Sequence, residues 1–137
     1  MKAIFALLFA YQLKHYFADY LLQGSYMLGK FKRQGWVLPL LSHVAVHAAG
    51  TALIAILAGK ATLALQLAVI DAGVHFAMDR LKASPDHLGY FKALSAREYD
   101  GASFRQLRDN KYFWWILGFD QMVHHCTHYF CIWVLVR

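Results

Sequence analysis

Four long apolar stretches account for most of this 137-residue chain, and each carries histidine or aspartate side chains in its middle. The stretches cover residues 3–22, 36–57, 61–81 and 112–136. A helix needs about 20 mainly apolar residues to span a bilayer, and all four stretches reach that length. The sequence therefore predicts one all-α domain over residues 1–137, folded as an integral-membrane four-helix bundle.

Composition excludes the other common classes of protein. The chain is 59% hydrophobic and only 16% charged, whereas a typical soluble domain is about 25% charged. A chain of this size cannot bury so much apolar surface within itself, and its 16% aromatic content excludes disorder. Cys126 and Cys131 are five residues apart, so on a helix they point to different sides and cannot form a disulfide.

The net charge of +6 comes from basic residues that lie mostly between the apolar stretches. They form no DNA- or RNA-binding motif, so we expect no nucleic-acid partner. They concentrate in segments 23–35 and 82–111, whereas the other side of the bundle has only Lys2, Lys60 and Arg137. Because cytoplasmic loops are rich in lysine and arginine, we expect both segments in the cytoplasm and both termini in the periplasm. The long basic loop 82–111 then joins helices three and four.

Histidine and aspartate recur four residues apart within the apolar stretches, which places them on one face of each helix. A charged side chain at the bilayer centre costs at least ~2.5–3.5 kcal/mol, so these faces are expected to line the bundle interior. The residues are His15 and Asp19, then His43 and His47, then Asp71, His75 and Asp79, and finally Asp120 and His124.

The distance of each residue from the cytoplasmic end of its helix predicts which of these side chains lie close together. Three histidines lie seven residues in from the expected cytoplasmic ends of their helices, and one aspartate lies eight: His15, His43, His75 and Asp120. At 1.5 Å rise per residue, the four are predicted to form one layer about 10 Å below the cytoplasmic edge.

Charge balance in that layer favours a metal site. Four aspartates in a low-dielectric interior cannot all stay ionised unless cations compensate them. They could be protonated, pair with histidinium or lysine, or bind metal ions. Two divalent ions would supply four positive charges, and neutral imidazoles would complete their coordination. Zinc, manganese, iron and nickel all accept such mixed ligands. The expected metal ligands are His15, His43, His47, His75, Asp79, Asp120 and His124.

Two carboxylates remain for catalysis in this interpretation. Asp19 or Asp71 would act as the catalytic base or would hydrogen-bond to a metal ligand. A pair of metal ions about 3.5–4 Å apart is a known hydrolytic arrangement. Its depth near the inner-leaflet head groups favours a lipid or a lipid-linked phosphoester as the substrate of a metal-dependent hydrolase.

Two other interpretations of the polar layer stay open from the sequence. The layer could be a metal-stabilised core or a proton relay in a non-enzymatic membrane module, whose basic loops dock a cytoplasmic or phage protein partner. Alternatively, His43, His75 or His124 could supply the axial ligands of a haem. Wide apolar faces on so small a bundle also favour a homo-oligomer.

Several further polar residues are expected near the layer or at its borders. Lys14 is eight residues deep, where it either neutralises a carboxylate inside the bundle or extends its stem toward the interface. Arg80 and Lys82 follow Asp79 directly and are expected to mark the head-group region. His128 is expected in the outer half of helix four, outside the site.

Four ordered motifs resemble a known family. They are the runs HYFADYLLQ, HVAVH, HFAMDRLK and DQMVHH, which begin at His15, His43, His75 and Asp120. Together they are similar to the pattern of an uncharacterised family of small integral-membrane proteins from bacteria and their phages, a domain of unknown function. A more distant similarity connects the chain with inner-membrane proteins described as metal-dependent hydrolases, although it lacks their threonine–histidine and acidic–histidine signatures. The resemblance implies a multi-pass protein of the bacterial inner (cytoplasmic) membrane.

The distribution of basic residues predicts the topology. A reporter fused at Gly35 or Gly101 should be cytoplasmic, and one fused at the carboxyl terminus should be periplasmic, because the basic loops stay inside. Paired fusions to a fluorescent protein and to a periplasm-dependent phosphatase measure both positions. Termini on opposite sides of the membrane would contradict the four-span prediction.

Overall fold

The computed structural model describes residues 2–84 and 109–137. Within these residues the fold is entirely helical, with four long helices and no strand. The helices are α1 (Lys2–Tyr16), α2 (Val37–Leu57), α3 (Ala64–Ala83) and α4 (Lys111–Leu135). The prediction of an all-α chain with four helices is confirmed. Most of the expected cytoplasmic loop 82–111 lies outside the described residues.

Three short helical segments adjust the ends of the long helices. A π-helical segment, Phe17–Leu21, continues α1, and 3-10 turns at Met27–Phe31 and Ala61–Leu63 precede α2 and α3. A π-helix winds more widely than an α-helix and is frequent at functional sites, and this one carries Asp19. The first predicted helix, 3–22, therefore consists of two segments of different winding.

Gly59 makes the sharp turn between α2 and α3. Its φ is +75°, in the left-handed region that favours glycine. The amide of Lys60 donates to the carbonyl of Ala55, and the amide of Gly59 donates to the carbonyl of Ile56, both at 2.9 Å. These two bonds are the Schellman pattern that ends many helices. As a result α2 and α3 form an antiparallel hairpin, the most extensive helix pair of the described bundle.

Charged and polar side chains fill the interior, and large apolar side chains cover the outside. Leu57, Leu65 and Phe5 are 77%, 75% and 69% exposed. The almost completely buried histidines and aspartates are His43, His47, Asp71, His75, Asp79, Asp120, His124 and His128. Water-soluble domains show the opposite distribution, because their charged residues are almost never fully buried.

An apolar core occupies only the end of the bundle that holds the α2–α3 turn. Its buried members are Tyr11, Ile54, Ala55, Ala64, Leu67, Cys131, Ile132 and Leu135. Beside it, a groove of about 440 Å³ between α1, α2 and α4 is lined by small and aliphatic side chains. The opposite end, where α2 begins and α3 ends, has a polar interior. The two ends of the bundle therefore differ in chemistry.

Two helical segments among the described residues are long and apolar enough to cross a membrane. They are Val37–Leu57 and Ala61–Ala83, with mean hydropathies of 1.8 and 1.5. This criterion uses length and composition alone, and a core helix of a soluble protein also meets it. It supports two of the four expected spans, 36–57 and 61–81, and the topology stays a prediction.

Gly50 allows α1 and α2 to approach closely around Lys14. A Cβ atom at Gly50 would lie 2.7 Å from Cγ of Lys14, closer than carbon atoms pack. This Cγ belongs to the base of the side chain, so it cannot move aside without displacing the ammonium group. A Cβ atom at Gly73, by contrast, would have no neighbouring atom within 4 Å.

Gly50→Ala is expected to destabilise the protein by about 1–3 kcal/mol, because it overpacks the space that Lys14 occupies. Gly73→Ala is the matched control in open space, and it should be neutral or stabilise the helix by up to about 1 kcal/mol. Thermal unfolding in detergent measures both effects. Equal stability of the two variants would contradict the close packing at Gly50.

Candidate metal centre

One histidine from each helix contributes to a central layer of the bundle. The ring centroids of His47 and His75 are 3.8 Å apart, and those of His75 and His124 are 3.9 Å apart. The ring of His15 completes the layer, 5.4 Å from that of His124. Because these imidazoles pack directly against one another, no macrocycle fits between His75 and His124.

The prediction that His43 and Asp120 belong to this layer is wrong by one helical turn. Both residues lie one turn nearer the end of the bundle where α2 begins. The prediction assumed that all four helices end in one plane. Instead, the 3-10 turn before α2 packs against its first turn so closely that a Cβ atom at Gly29 would lie 2.8 Å from Cγ of Pro39. The connection therefore lies alongside α2, and the helix ends are staggered.

Three histidines surround the carboxylate of Asp19, and we call these four residues the Asp19 cluster. Nε2 of His47 lies 2.9 Å from Oδ1 of Asp19, and Nε2 of His43 lies 3.4 Å from the same oxygen. Nε2 of His15 lies 3.1 Å from Oδ2. The Asp19 side chain is 18% exposed, whereas the three imidazoles are almost completely buried. Asp19 is therefore the accessible edge of the cluster.

A second group lies next to this cluster and consists of Asp79, Asp120 and His124; we call it the acidic triad. Nε2 of His124 lies 3.2 Å from Oδ1 of Asp120 and 3.7 Å from Oδ1 of Asp79. Nζ of Lys82 lies 2.8 Å from Oδ2 of Asp120 and 3.4 Å from Oδ1 of Asp79. Nζ of Lys30 lies 2.7 Å from Oδ2 of Asp79. Each carboxylate of the triad thus has an ammonium group as a partner.

Asp71 lies on the other side of the histidine layer, in a buried network of its own. Nζ of Lys14 and Oγ1 of Thr51 both donate to Oδ2 of Asp71, at 2.6 Å and 2.7 Å. Nε2 of His128 lies 3.3 Å from Nζ of Lys14, so His128 borders this network. Of the two alternatives for Lys14, the structure shows the first: its ammonium neutralises a carboxylate inside the bundle.

Buried ring nitrogens in the described part of the chain include several that make no hydrogen bond. They are both nitrogens of His43, Nε2 of His75, and Nδ1 of His15, His47, His124 and His128. His43 is the clearest case. Its Nε2 lies 3.4 Å from Asp19 and 3.0 Å from Asp79, yet it makes a hydrogen bond to neither carboxylate. A buried polar atom without a partner costs about 1–3 kcal/mol, so Nε2 of His43, which faces Asp19, fits a role as a metal ligand.

The predicted site residues fall into neighbouring groups that could each hold a metal ion. In each group, one ligand atom from every residue lies within 4.8 Å of the others. The groups are Asp19/His43/His47, Asp79/Asp120/His124, His47/Asp71/His75 and His15/His75/His128. All nine predicted site residues therefore lie in such groups.

Lys30 belongs to segment 23–35, which was expected to be a cytoplasmic loop. In the structure Lys30 is only 3% exposed and pairs with Asp79. The guanidinium of Arg80 lies 3.8 Å from the centre of the Trp36 ring and 3.4 Å from the carbonyl oxygen of Lys30. These contacts hold the connection between α1 and α2 against α3. Lys82, which was expected only to mark the head-group region, also turns inward toward the acidic triad.

Gln121 connects the two groups and was not identified from the sequence. Its Nε2 donates to Oδ2 of Asp120 at 3.2 Å, and its Oε1 lies 3.3 Å from Nε2 of His15. The sequence did contain one indication of its role: Gln121 follows Asp120 directly, which places it at the edge of the polar face of α4.

Removing the charge of Lys14 is expected to destabilise the protein by about 3–5 kcal/mol, because Lys14→Met leaves Asp71 as a buried carboxylate without its cation. The double variant Lys14→Met/Asp71→Asn removes both charges and should recover most of that loss. Thermal unfolding of the three proteins in one detergent measures the coupling. A double variant no more stable than Lys14→Met would show that the pair is not coupled.

Comparison with known families matches residues 6–136 to a family described as a protein of unknown function, DUF3307. No curated protein matches the chain, and no solved structure matches it. The family match covers the four helices and all the polar residues of the centre, as the resemblance in the four motifs implies. The chain therefore belongs to the DUF3307 family of proteins of unknown function.

Proposed function

We propose that this protein is a multi-pass protein of the bacterial inner membrane that binds a divalent transition metal at the Asp19 cluster. We further propose that it hydrolyses a lipid or lipid-linked phosphoester there. The observation that carries the proposal is the cluster itself, in which three imidazole nitrogens lie within 3.4 Å of one carboxylate. Zinc, manganese, iron and nickel share a preference for such ligands.

The distribution of polarity supports placement in a membrane. Residues such as Leu57, Leu65 and Phe5 are at least 69% exposed, while lysine, histidine and aspartate fill the interior. Exposed apolar surface of this extent is unfavourable in water, and ionisable residues in a membrane bundle face its interior. Two helices also have the length and composition of membrane spans.

The spacing of the donor atoms supports a metal ion. Four ligands about 2.0–2.1 Å from a tetrahedral ion lie roughly 3.3 Å from one another. The contacts of Oδ1 of Asp19 with His47 and His43 are 2.9 and 3.4 Å, and one ligand atom from each of these three residues lies within 4.8 Å of the others. His15 lies 3.1 Å from the other oxygen of Asp19. Without an ion, His43 keeps two buried ring nitrogens without a hydrogen bond. A bound ion would give one of those nitrogens a partner.

The position of the cluster favours a substrate at the inner leaflet. With the predicted topology, the Asp19 cluster and the acidic triad lie toward the cytoplasmic end, and Asp19 is the accessible edge. A metal ion there would supply a Lewis acid and an activated water for attack on phosphorus. One oxygen of Asp19 would bind the ion, and the other is placed to accept a proton from the attacking water.

Asp71 has a structural role in this proposal. Its Oδ2 already accepts hydrogen bonds from Lys14 and Thr51, and its side chain is fully buried. A carboxylate in this position compensates the charge of Lys14 and does not face the accessible edge. Asp19, the other expected catalytic carboxylate, is the one near which a substrate can approach.

A non-enzymatic module is the second candidate function, and the lysine pairs favour it. Lys14, Lys30 and Lys82 already compensate Asp71, Asp79 and Asp120 without any metal. In this candidate the polar core only holds the helices together, and the basic segments dock a protein partner. Where its core is a proton relay and not a metal-stabilised core, it predicts a metal-free protein that folds normally.

His43→Ala is expected to lower the zinc content of the purified protein at least tenfold from about one ion per chain, because it removes a ligand of a buried site. His125→Ala is the matched control, since His125 follows His124 directly but is only half-buried and belongs to none of the groups within the described residues. Elemental analysis after chelator-free purification measures both.

Retention of metal by His43→Ala together with its loss from His125→Ala would contradict the assignment of the cluster. A metal-free but folded wild-type protein would instead support the non-enzymatic module.

A further inference from the structure

We propose that the ammonium group of Lys82 occupies the position that a second metal ion would take, so that the centre holds one metal ion and one fixed lysine cation. The inference rests on the proposed metal at the Asp19 cluster and extends it to the neighbouring acidic triad. It replaces the expected pair of ions with a mixed pair of cations.

The acidic triad has the composition of a metal site. Asp79, Asp120 and His124 are 2%, 0% and 1% exposed, and one ligand atom from each lies within 4.8 Å of the others. Two carboxylates and one imidazole are ligands that zinc and manganese accept. Nζ of Lys82, however, lies 2.8 Å from Asp120 and 3.4 Å from Asp79. The lysine therefore contacts both carboxylates that a second ion would bind.

His43 provides an independent indication that the triad and the Asp19 cluster are adjacent cation positions. It is fully buried, and its Nε2 points between Oδ1 of Asp19 and Oδ2 of Asp79, at 3.4 and 3.0 Å, without a hydrogen bond to either. One ring nitrogen therefore lies within 3.4 Å of a carboxylate from each group, so the two groups are direct neighbours.

The charges of the interior also favour one ion. Among the described residues, four carboxylates face three ammonium groups, those of Lys14, Lys30 and Lys82, so with neutral imidazoles one negative charge is left over. One divalent ion converts this to an excess of one positive charge, which an anionic phosphoester can neutralise. Two divalent ions would leave an excess of three positive charges in a low-dielectric interior, which is very costly.

Lys82 would then supply what the second ion supplies in two-metal hydrolases. There, two cations hold the attacking and the leaving oxygen of the phosphoryl group. The ammonium of Lys82 is fixed by two carboxylates, and its side chain is still 22% exposed. A fixed ammonium that is also partly exposed can contact a bound phosphate.

The test is zinc stoichiometry, with Zn²⁺ titrated into metal-free protein and bound zinc counted per chain. Wild type should bind about one ion, and Lys82→Met should bind about two, because the substitution removes the cation that contacts both carboxylates and leaves Lys30 on one oxygen of Asp79. Lys82→Arg keeps the charge and should stay at one. Lys111→Met, at the exposed start of α4, is the control and should also stay at one.

If Lys82→Met does not fold without metal, Asp120→Asn provides a second test of the same inference. Asp120 belongs to the triad and not to the Asp19 cluster, so Asp120→Asn alone should keep one ion. In Lys82→Met/Asp120→Asn the count should return from two to one.

Three results would overturn the inference: two zinc ions in wild type, loss of the single ion in Asp120→Asn, or one ion in folded Lys82→Met. By contrast, a wild type that binds no zinc would overturn the proposed metal site itself, so the two failures are distinguishable.

Discussion

Four carboxylates buried in a small helical bundle must each find a positive partner, and the rest of the structure follows from that requirement. An unpaired buried charge costs far more than one side-chain contact returns. Asp71, Asp79 and Asp120 are each paired with a lysine ammonium within 2.8 Å. Asp19 is the exception, because within the described residues its carboxylate makes ion-pair contacts with histidines only. The position of Asp19 is therefore where a further cation is most strongly favoured.

The pairing of these aspartates with lysines explains several local features of the backbone. Gly50 makes room for the stem of Lys14, so that its ammonium can reach Asp71. The 3-10 turn Met27–Phe31, which precedes α2, places Lys30 next to Asp79 inside the bundle. Arg80 of α3 donates a hydrogen bond to the carbonyl oxygen of Lys30 in the same turn. Backbone geometry in these segments thus places the cations where the aspartates need them.

Periodicity and composition predicted the helices well, because each apolar stretch is long and its polar residues recur at helical spacing. The helix starts and ends differ from the predicted ones by only a few residues, apart from the π segment that follows Tyr16. The same periodicity identified the inward face of each helix, and His15, His47, His75 and His124 do meet there.

Relative helix depth and the partners of the aspartates could not be predicted in the same way. Depth depends on how the connections fold, and the turn at Met27–Phe31 packs beside α2 instead of leaving the bundle. Lys30 looks like an ordinary loop lysine in the sequence, since its burial depends on that tertiary packing. The expected balance of four carboxylates against two divalent ions therefore left out the ammonium groups of Lys30 and Lys82 and included that of Lys14 only as an alternative.

X-ray absorption at the metal edge of the purified wild-type protein tests most directly whether histidines hold an ion. The Asp19 cluster predicts nitrogen and oxygen ligands about 2.0–2.1 Å from a zinc ion, with the outer-shell scattering of about three imidazoles and no sulfur. A protein without metal, or an ion with oxygen ligands and no imidazole scattering, would contradict the assignment.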